Sequence, residues 1–179
     1  MSSSDPPDFI ARSELLDRAY RFARAAHEGE RSRGETRIDH PTEVARLLAR
    51  RGAEDETVAA ALLHDVLEDT TVTREELERE FGPGIAELVA SVSEDPSIGD
   101  YADRKAQLRE QVADAGEEAA TIFLADKLAT LNRLEETQQG LPPAKLDHYR
   151  ETAALLADRY PDLPFVAEVR HALRNVRQD

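Results

Sequence analysis

The sequence predicts an all-helical protein. Ala, Leu and Glu are abundant in its 179 residues, and β-branched residues nowhere alternate with polar ones over a useful length. Apolar residues instead recur at spacings of three and four, as on the buried face of an amphipathic helix. The length suits one domain with a real core. We therefore expect a bundle of about eight to ten helices over residues 11–179, after a disordered or loosely ordered tail over residues 1–10.

Helix-end signals divide this pattern into elements. Pro41 stands at a first helical position, and Gly52 follows the end of the same helix. Thr73 and Glu76 have the spacing of a capping box, which predicts the start of another helix. The loops are polar or contain Pro or Gly. In order, the predicted helices span residues 12–29, 41–51, 55–68, 73–81, 84–92, 101–115, 119–134, 144–159 and 164–177.

Composition excludes several classes of function. The chain has 37 Asp and Glu against 23 Lys and Arg, so its net charge of −14 argues against general nucleic-acid binding. The mean hydropathy is −0.57, and no stretch approaches the roughly 20 apolar residues of a membrane span. The absence of cysteine excludes disulfides and thiolate sites and favours a cytoplasmic location. An anionic partner would have to be bound through a metal or a small basic cluster.

Polar residues within an apolar run mark the first candidate site, because burying them without partners costs several kcal/mol. The run 59–69 contains His64, Asp65, Glu68 and Asp69. On one continuous helix, His64 would stack over Glu68, and Asp65 over Asp69. The sequence therefore predicts a helix edge with one imidazole and three carboxylates.

Two other residues share this character. Asp126 follows four apolar residues, and His40 stands at a loop-to-helix junction before Pro41. Together with His64 and Asp65 they would form a nitrogen and oxygen cage for one divalent ion, which suits Mn, Fe, Zn or Mg without choosing among them. A surface ion pair, a capping His-Pro and a charged helix edge at Asp126-Lys127 are the alternatives. The residues alone leave both interpretations open.

A succession of motifs resembles the hydrolase domain of RelA/SpoT homologues. These are HD-superfamily phosphohydrolases that act on the alarmones ppGpp and pppGpp. The resemblance covers residues 15–158, and the absence of a synthetase region is similar to the small stand-alone hydrolases. The motifs are Ala25-Ala26-His27, Arg33-Gly34-Glu35, Ile38-Asp39-His40-Pro41, the run from Ala60 to Thr70 with His64-Asp65 and Glu68-Asp69, Phe81-Gly82, and Leu124-Ala125-Asp126-Lys127-Leu128.

This resemblance implies a site and a reaction. It implies one Mn²⁺ in a fold of about ten helices and release of pyrophosphate from the 3′ position of (p)ppGpp, with a nucleotide as the partner and no nucleic acid or membrane. The implied catalytic pair is Glu68 and Asp69. The implied metal ligands are His40, His64, Asp65 and Asp126, and the implied substrate-binding residues are Arg33, Arg104, Lys105, Lys127, Thr130 and Tyr149.

Some positions differ from the family pattern. Thr36-Arg37 replace the usual Pro-Tyr, Thr130 replaces an Asn, and either Arg31 or Arg33 could stack on the base. These differences concern nucleotide recognition, so another phosphorylated nucleotide remains an alternative, cleaved by a 2′/3′-phosphatase or a 5′-nucleotidase. A non-catalytic nucleotide-binding protein and a helical scaffold with incidental charges are further alternatives. We interpret His27, His148 and His171 as packing or surface histidines.

Overall fold

The computed structural model describes residues 6–28, 31–32, 35–36 and 38–178. The chain divides into two compact units, residues 1–90 and 91–179, and each is described by itself. The predicted all-helical class is confirmed, with strands of only two residues each in the described chain. We expected residues 1–10 to form a loose tail. Part of this segment instead belongs to the helix Asp8–Ala11, in which Ile10 is buried. Residues 1–5 lie outside the described residues.

The first unit is built around one fully buried helix. All residues from Thr57 to Leu63 are buried in the helix Asp55–Leu63, which packs against the helices Glu14–Ala26 and Asp39–Arg50. A helix that is apolar on every side belongs in the interior. In order the elements are α1 (Asp8–Ala11), α2 (Glu14–Ala26), the antiparallel pair β1 (Arg31–Ser32) and β2 (Glu35–Thr36), α3 (Asp39–Arg50), α4 (Asp55–Leu63), α5 (Val66–Asp69), α6 (Arg74–Phe81) and α7 (Pro83–Ser91).

The prediction of one continuous helix over 55–68 is wrong. Helix α4 ends at Leu63, His64 and Asp65 form a turn, and α5 begins at Val66. The His64 ring nitrogen Nδ1 lies 2.8 Å from the Ala61 carbonyl oxygen. In a continuous helix that carbonyl would accept the backbone NH of Asp65, so the side chain competes with the helical bond at this point.

Two predicted helix ends are confirmed. The Thr73 hydroxyl accepts a hydrogen bond from the backbone NH of Glu76 at 3.2 Å, which caps α6. Gly52 follows α3 with φ of +75°, a conformation that glycine adopts without steric cost. Local capping chemistry therefore placed these boundaries correctly.

The second unit is centred on the long helix Glu117–Thr137. Its elements are α8 (Tyr101–Ala115), α9 (Glu117–Thr137), β3 (Gly140–Leu141), α10 (Pro143–Arg159), α11 (Val166–Asn175) and β4 (Arg177–Gln178). Helix α9 packs against α8, α10 and α11. Strands β3 and β4 are parallel, so the end of the described chain is tied to the segment after α9.

No helix among the described residues is both long and apolar enough to cross a lipid bilayer.

Candidate active site

Two histidines and an aspartate of the first unit lie close together. One potential ligand atom from each of His40, His64 and Asp65 lies within 4.8 Å of the others. His40 lies in the first turn of α3, and the other two residues form the turn after α4. The centroids of the two imidazole rings are 5.5 Å apart. Packing of α3 on α4 therefore brings residues 24 positions apart into one cluster.

The backbone fixes the orientation of the His64 ring. A carbonyl oxygen can only accept, so Nδ1 donates its hydrogen to Ala61 O at 2.8 Å. The other nitrogen, Nε2, lies 3.0 Å from Oδ1 of Asp65. In the neutral ring both of these atoms carry lone pairs, so both are available as ligands of one cation.

The cluster fits a divalent cation by this geometry. A metal-binding histidine usually donates its second ring NH to a backbone carbonyl or a carboxylate, which fixes the tautomer and directs the free nitrogen to the ion. His64 makes that bond to Ala61, in the last turn of α4. Imidazole and carboxylate together suit Mn, Fe or Zn. The described residues of the first unit therefore offer three donors of the predicted kinds.

The two predicted catalytic carboxylates lie on the short helix that follows. Glu68 and Asp69 are exposed on α5, and the backbone NH of Asp69 donates to the Asp65 carbonyl at 2.9 Å. Val66 is completely buried and anchors this turn. Both carboxylates are therefore in reach of solvent, directly after the predicted ligands.

Asp126 and Lys127 lie on α9, in the second unit. The lysine Nζ is 2.7 Å from Oδ2 of Asp126 and 3.4 Å from the centre of the Phe123 ring. Lys127 is only 5% exposed. Burial lowers the pKa of Lys127, while the Asp126 carboxylate opposes that shift. The ammonium is thus held between a carboxylate and an aromatic face.

Sequence reasoning missed the chemical importance of His148. This ring is 3% exposed, and Arg109 Nη1 lies 3.0 Å from its Nδ1. Arginine has no acceptor, so it donates to Nδ1, and the ring hydrogen must be on Nε2. Burial, followed by the charges of Lys127, Lys105 and Arg109, lowers the pKa of His148 to about 2.

The predicted basic pair in α8 is bound by an acidic residue that the sequence did not single out. Glu94 accepts from Arg104 Nε at 2.5 Å and also from Lys105 Nζ. Arg104 in addition donates to the Ile98 carbonyl at 2.8 Å. Burial by itself raises the pKa of Glu94, but the bonds from Lys105 and Arg104 outweigh it and hold that pKa below its usual value. No motif around Glu94 could have revealed this pairing.

The remaining substrate-binding candidates differ in what the structure shows of them. Tyr149 is 3% exposed, and Lys127 Nζ is 5.4 Å from its ring centre. Thr130 is half-buried on α9, four residues after Asp126. Arg33 and Arg37 lie outside the described residues, and only the backbone is described at Arg31 and Thr36.

Comparison with known proteins gives consistent matches. Residues 19–161 match the HD domain family. The chain is 37% identical to the guanosine-3′,5′-bis(diphosphate) 3′-pyrophosphohydrolase MESH1 of Danio rerio over 139 residues, covering 74% of this chain and 77% of that protein. A solved structure of a metazoan ortholog of SpoT that hydrolyses ppGpp matches with a TM-score of 0.73 and 26% identity, over 97% of this chain and 98% of that one.

Bacterial relatives match over a smaller part of their length. A guanosine-3′,5′-bis(diphosphate) 3′-pyrophosphohydrolase of Vibrio cholerae is 54% identical over 81 residues, which cover 45% of this chain. The chain spans only 12% of the length of that protein. The similarity to bacterial relatives therefore concerns one segment of much longer proteins.

Proposed function

The chain belongs to the HD-domain family and is homologous to the SpoT and MESH1 (p)ppGpp hydrolases, and from that membership we propose that it is a metal-dependent phosphohydrolase. Its proposed reaction is release of pyrophosphate from the 3′ position of (p)ppGpp. The relatives are named for this reaction, and the order and spacing of the motifs support it. The partner is accordingly a small phosphorylated nucleotide.

The orientation of His64 is the observation that carries the proposal. Its Nδ1 is occupied by the Ala61 carbonyl, so Nε2 remains as the ligand atom of the ring, 3.0 Å from Oδ1 of Asp65 and in the cluster to which His40 also contributes a donor. We propose Mn²⁺ as the ion, on the family resemblance. A bound divalent ion would polarise a phosphate oxygen and lower the pKa of a water toward neutrality.

The chain's own residues supply the other functions. Glu68 and Asp69, exposed on α5, can orient the attacking water and accept its proton. Lys127 carries a cation that can offset charge on the phosphoryl group, where electrostatics provide most of the catalysis. Asp126 belongs to the second unit. It is the proposed fourth metal ligand because of its sequence motif. Arg33, Arg104, Lys105, Thr130 and Tyr149 stay proposed substrate-binding residues.

A second candidate function is hydrolysis of a different phosphorylated nucleotide. Thr130, a residue with a short hydroxyl side chain, stands on α9 where the family pattern has an amide, and Thr36-Arg37 also depart from it. Both changes concern recognition of the base or ribose. Such an enzyme would use the same metal ligands on another substrate.

Substrate preference separates the two candidates. We expect the Mn²⁺-loaded protein to convert ppGpp to GDP and pyrophosphate, with kcat/KM at least about tenfold above that for 2′-, 3′- and 5′-nucleotide monophosphates, which corresponds to roughly 1.4 kcal/mol. Products are resolved by anion-exchange chromatography. A smaller preference for ppGpp would favour the second candidate.

Removing the proposed proton acceptors tests the mechanism. We expect Glu68→Gln/Asp69→Asn to lower kcat by about 100-fold or more, because general-base catalysis contributes on that order, while bound metal measured by elemental analysis is retained. Glu78→Gln is the matched control, since Glu78 is an exposed carboxylate on α6. Full activity in the double variant would overturn the assignment, and a metal-free, inactive wild-type protein would support a non-catalytic binding role instead.

A further inference from the structure

A groove in the second unit differs in charge from the rest of the chain. It lies between α10 and α11 and contains about 680 Å³ of water-accessible space, open to solvent. Arg150, Arg170 and Arg174 line it, and none of the described residues along it is acidic. The chain as a whole has 37 acidic residues and a net charge of −14. The groove is therefore a local basic site on an acidic protein.

Helical spacing explains why the three arginines surround one space. Arg170 and Arg174 are one turn apart on α11 and share a face, and Arg150 precedes Ala153 by one turn on α10. Ala153 and Leu173, which are 2% and 7% exposed, form an apolar floor between the helices. The groove thus combines cationic sides with an apolar base.

The three guanidinium groups make few ion pairs and hydrogen bonds with the described residues. Among the described residues, Arg170 and Arg174 make no ion pair with a carboxylate, and Arg174 contacts only the Nδ1 of His171, at 3.3 Å. Arg150 reaches Asp147 at 3.6 Å, where both side chains are at least half exposed. Exposed pairs of this kind contribute little to stability, so all three cations can contact a ligand at small cost.

We propose that this groove binds a small organic anion that carries two or more phosphate groups on a planar or apolar body. Guanidinium groups bind phosphate through paired NH donors and also stack on flat rings. The space exceeds the needs of a single inorganic ion and suits a ligand of nucleotide size. Arg170 and Arg174 lie beyond residue 161, where the HD domain match ends, and no described residue lining the groove is among those proposed for metal binding, catalysis or substrate binding.

Calorimetric titration with ADP in EDTA tests the proposal. EDTA removes divalent ions, so binding in its presence does not depend on a metal. We expect saturable binding that weakens about tenfold in each of Arg170→Gln and Arg174→Gln, because a hydrogen bond to a charged group is worth about that factor. Adenosine has the planar base without the phosphates, and inorganic pyrophosphate has the phosphates without the base. Each should bind more weakly than ADP.

The controls separate specific from general electrostatic binding. Arg159→Gln removes the same charge from α10 at an exposed position outside the groove, and we expect it to bind ADP like the wild type. His64→Gln should also retain ADP binding. Three results would overturn the groove assignment: ADP binding weakened equally in Arg159→Gln, ADP binding lost in His64→Gln but retained in Arg170→Gln, or no saturable binding of ADP at all. None of them would affect the proposed hydrolase function.

Discussion

His148 is a buried base that desolvation and the surrounding positive charges keep neutral. Its pKa falls from 6.5 to about 2, first because the ring is desolvated and then because Lys127, Lys105 and Arg109 repel an imidazolium, against a smaller opposing effect of Asp126. Between these two values the unfolded chain binds a proton that the folded protein does not. Folding stability must therefore increase with pH across this window.

This predicts a stability difference in mild acid. From pH 6.5 down to pH 4.5, the wild type should lose free energy of unfolding faster than His148→Gln, and the difference in slope should approach about 1.4 kcal/mol per pH unit as the unfolded imidazole becomes fully protonated. Urea unfolding followed by circular dichroism at several pH values measures the two slopes. His171→Gln is the control, because His171 is exposed, and its slope should equal that of the wild type. Parallel curves for the wild type and His148→Gln would contradict the prediction.

The histidines show how far single residues could be interpreted from the sequence. His64 and His40 were identified because they interrupt apolar runs or precede a helix, and the structure brings them together with Asp65. His148 was taken as a packing residue because its neighbours in the sequence give no sign of Arg109 or Lys127. Its environment comes from α8 and α9, so only the tertiary structure could reveal it.

At the scale of elements, capping chemistry gives a direct prediction. Thr73→Ala should lower the free energy of unfolding by about 1 kcal/mol, because the NH of Glu76 loses its acceptor. Thr73→Ser keeps the hydroxyl and should retain most of the stability. Chemical denaturation of the three proteins measures both effects. If Thr73→Ser were destabilised as much as Thr73→Ala, the threonine methyl group rather than the cap would be responsible.

The helix boundaries show what local patterns can and cannot predict. The sequence predicted α8 with the observed bounds, and in the structure Asp100 caps its start and Gly116, with φ of 108°, follows its end. It missed the break at His64 because neither Pro nor Gly marks that position and the apolar spacing of Val58, Leu62 and Val66 continues in phase through it. The break depends on a side-chain bond to Ala61, which periodicity does not encode.

The charge of the whole molecule limits how an anionic substrate can bind. With a net charge of −14, long-range electrostatics repel a polyphosphate, so affinity must come from local cations. Three of the cations proposed to bind substrate are themselves paired, Lys127 with Asp126 and Arg104 and Lys105 with Glu94. A bound divalent ion would add positive charge that these pairs do not supply. The cytoplasmic location favoured by the absence of cysteine stays a prediction.

Metal binding should therefore stabilise the whole chain, and ligands from both units should be required. At free Mn²⁺ about a hundredfold above its Kd, a site present only in the folded protein adds roughly 2.7 kcal/mol to stability, or about 5–10 °C in Tm for a chain of this size. We expect calorimetry to show this increase in the wild type and its loss in His64→Gln and Asp126→Asn. Asp158→Asn, the same change at an exposed position of the second unit, should retain it.

Because the ligands act on one ion, combining the two ligand variants should remove no more of the Mn²⁺ stabilisation than either does alone. An undiminished Mn²⁺ response in Asp126→Asn would show that the first unit binds the ion without it.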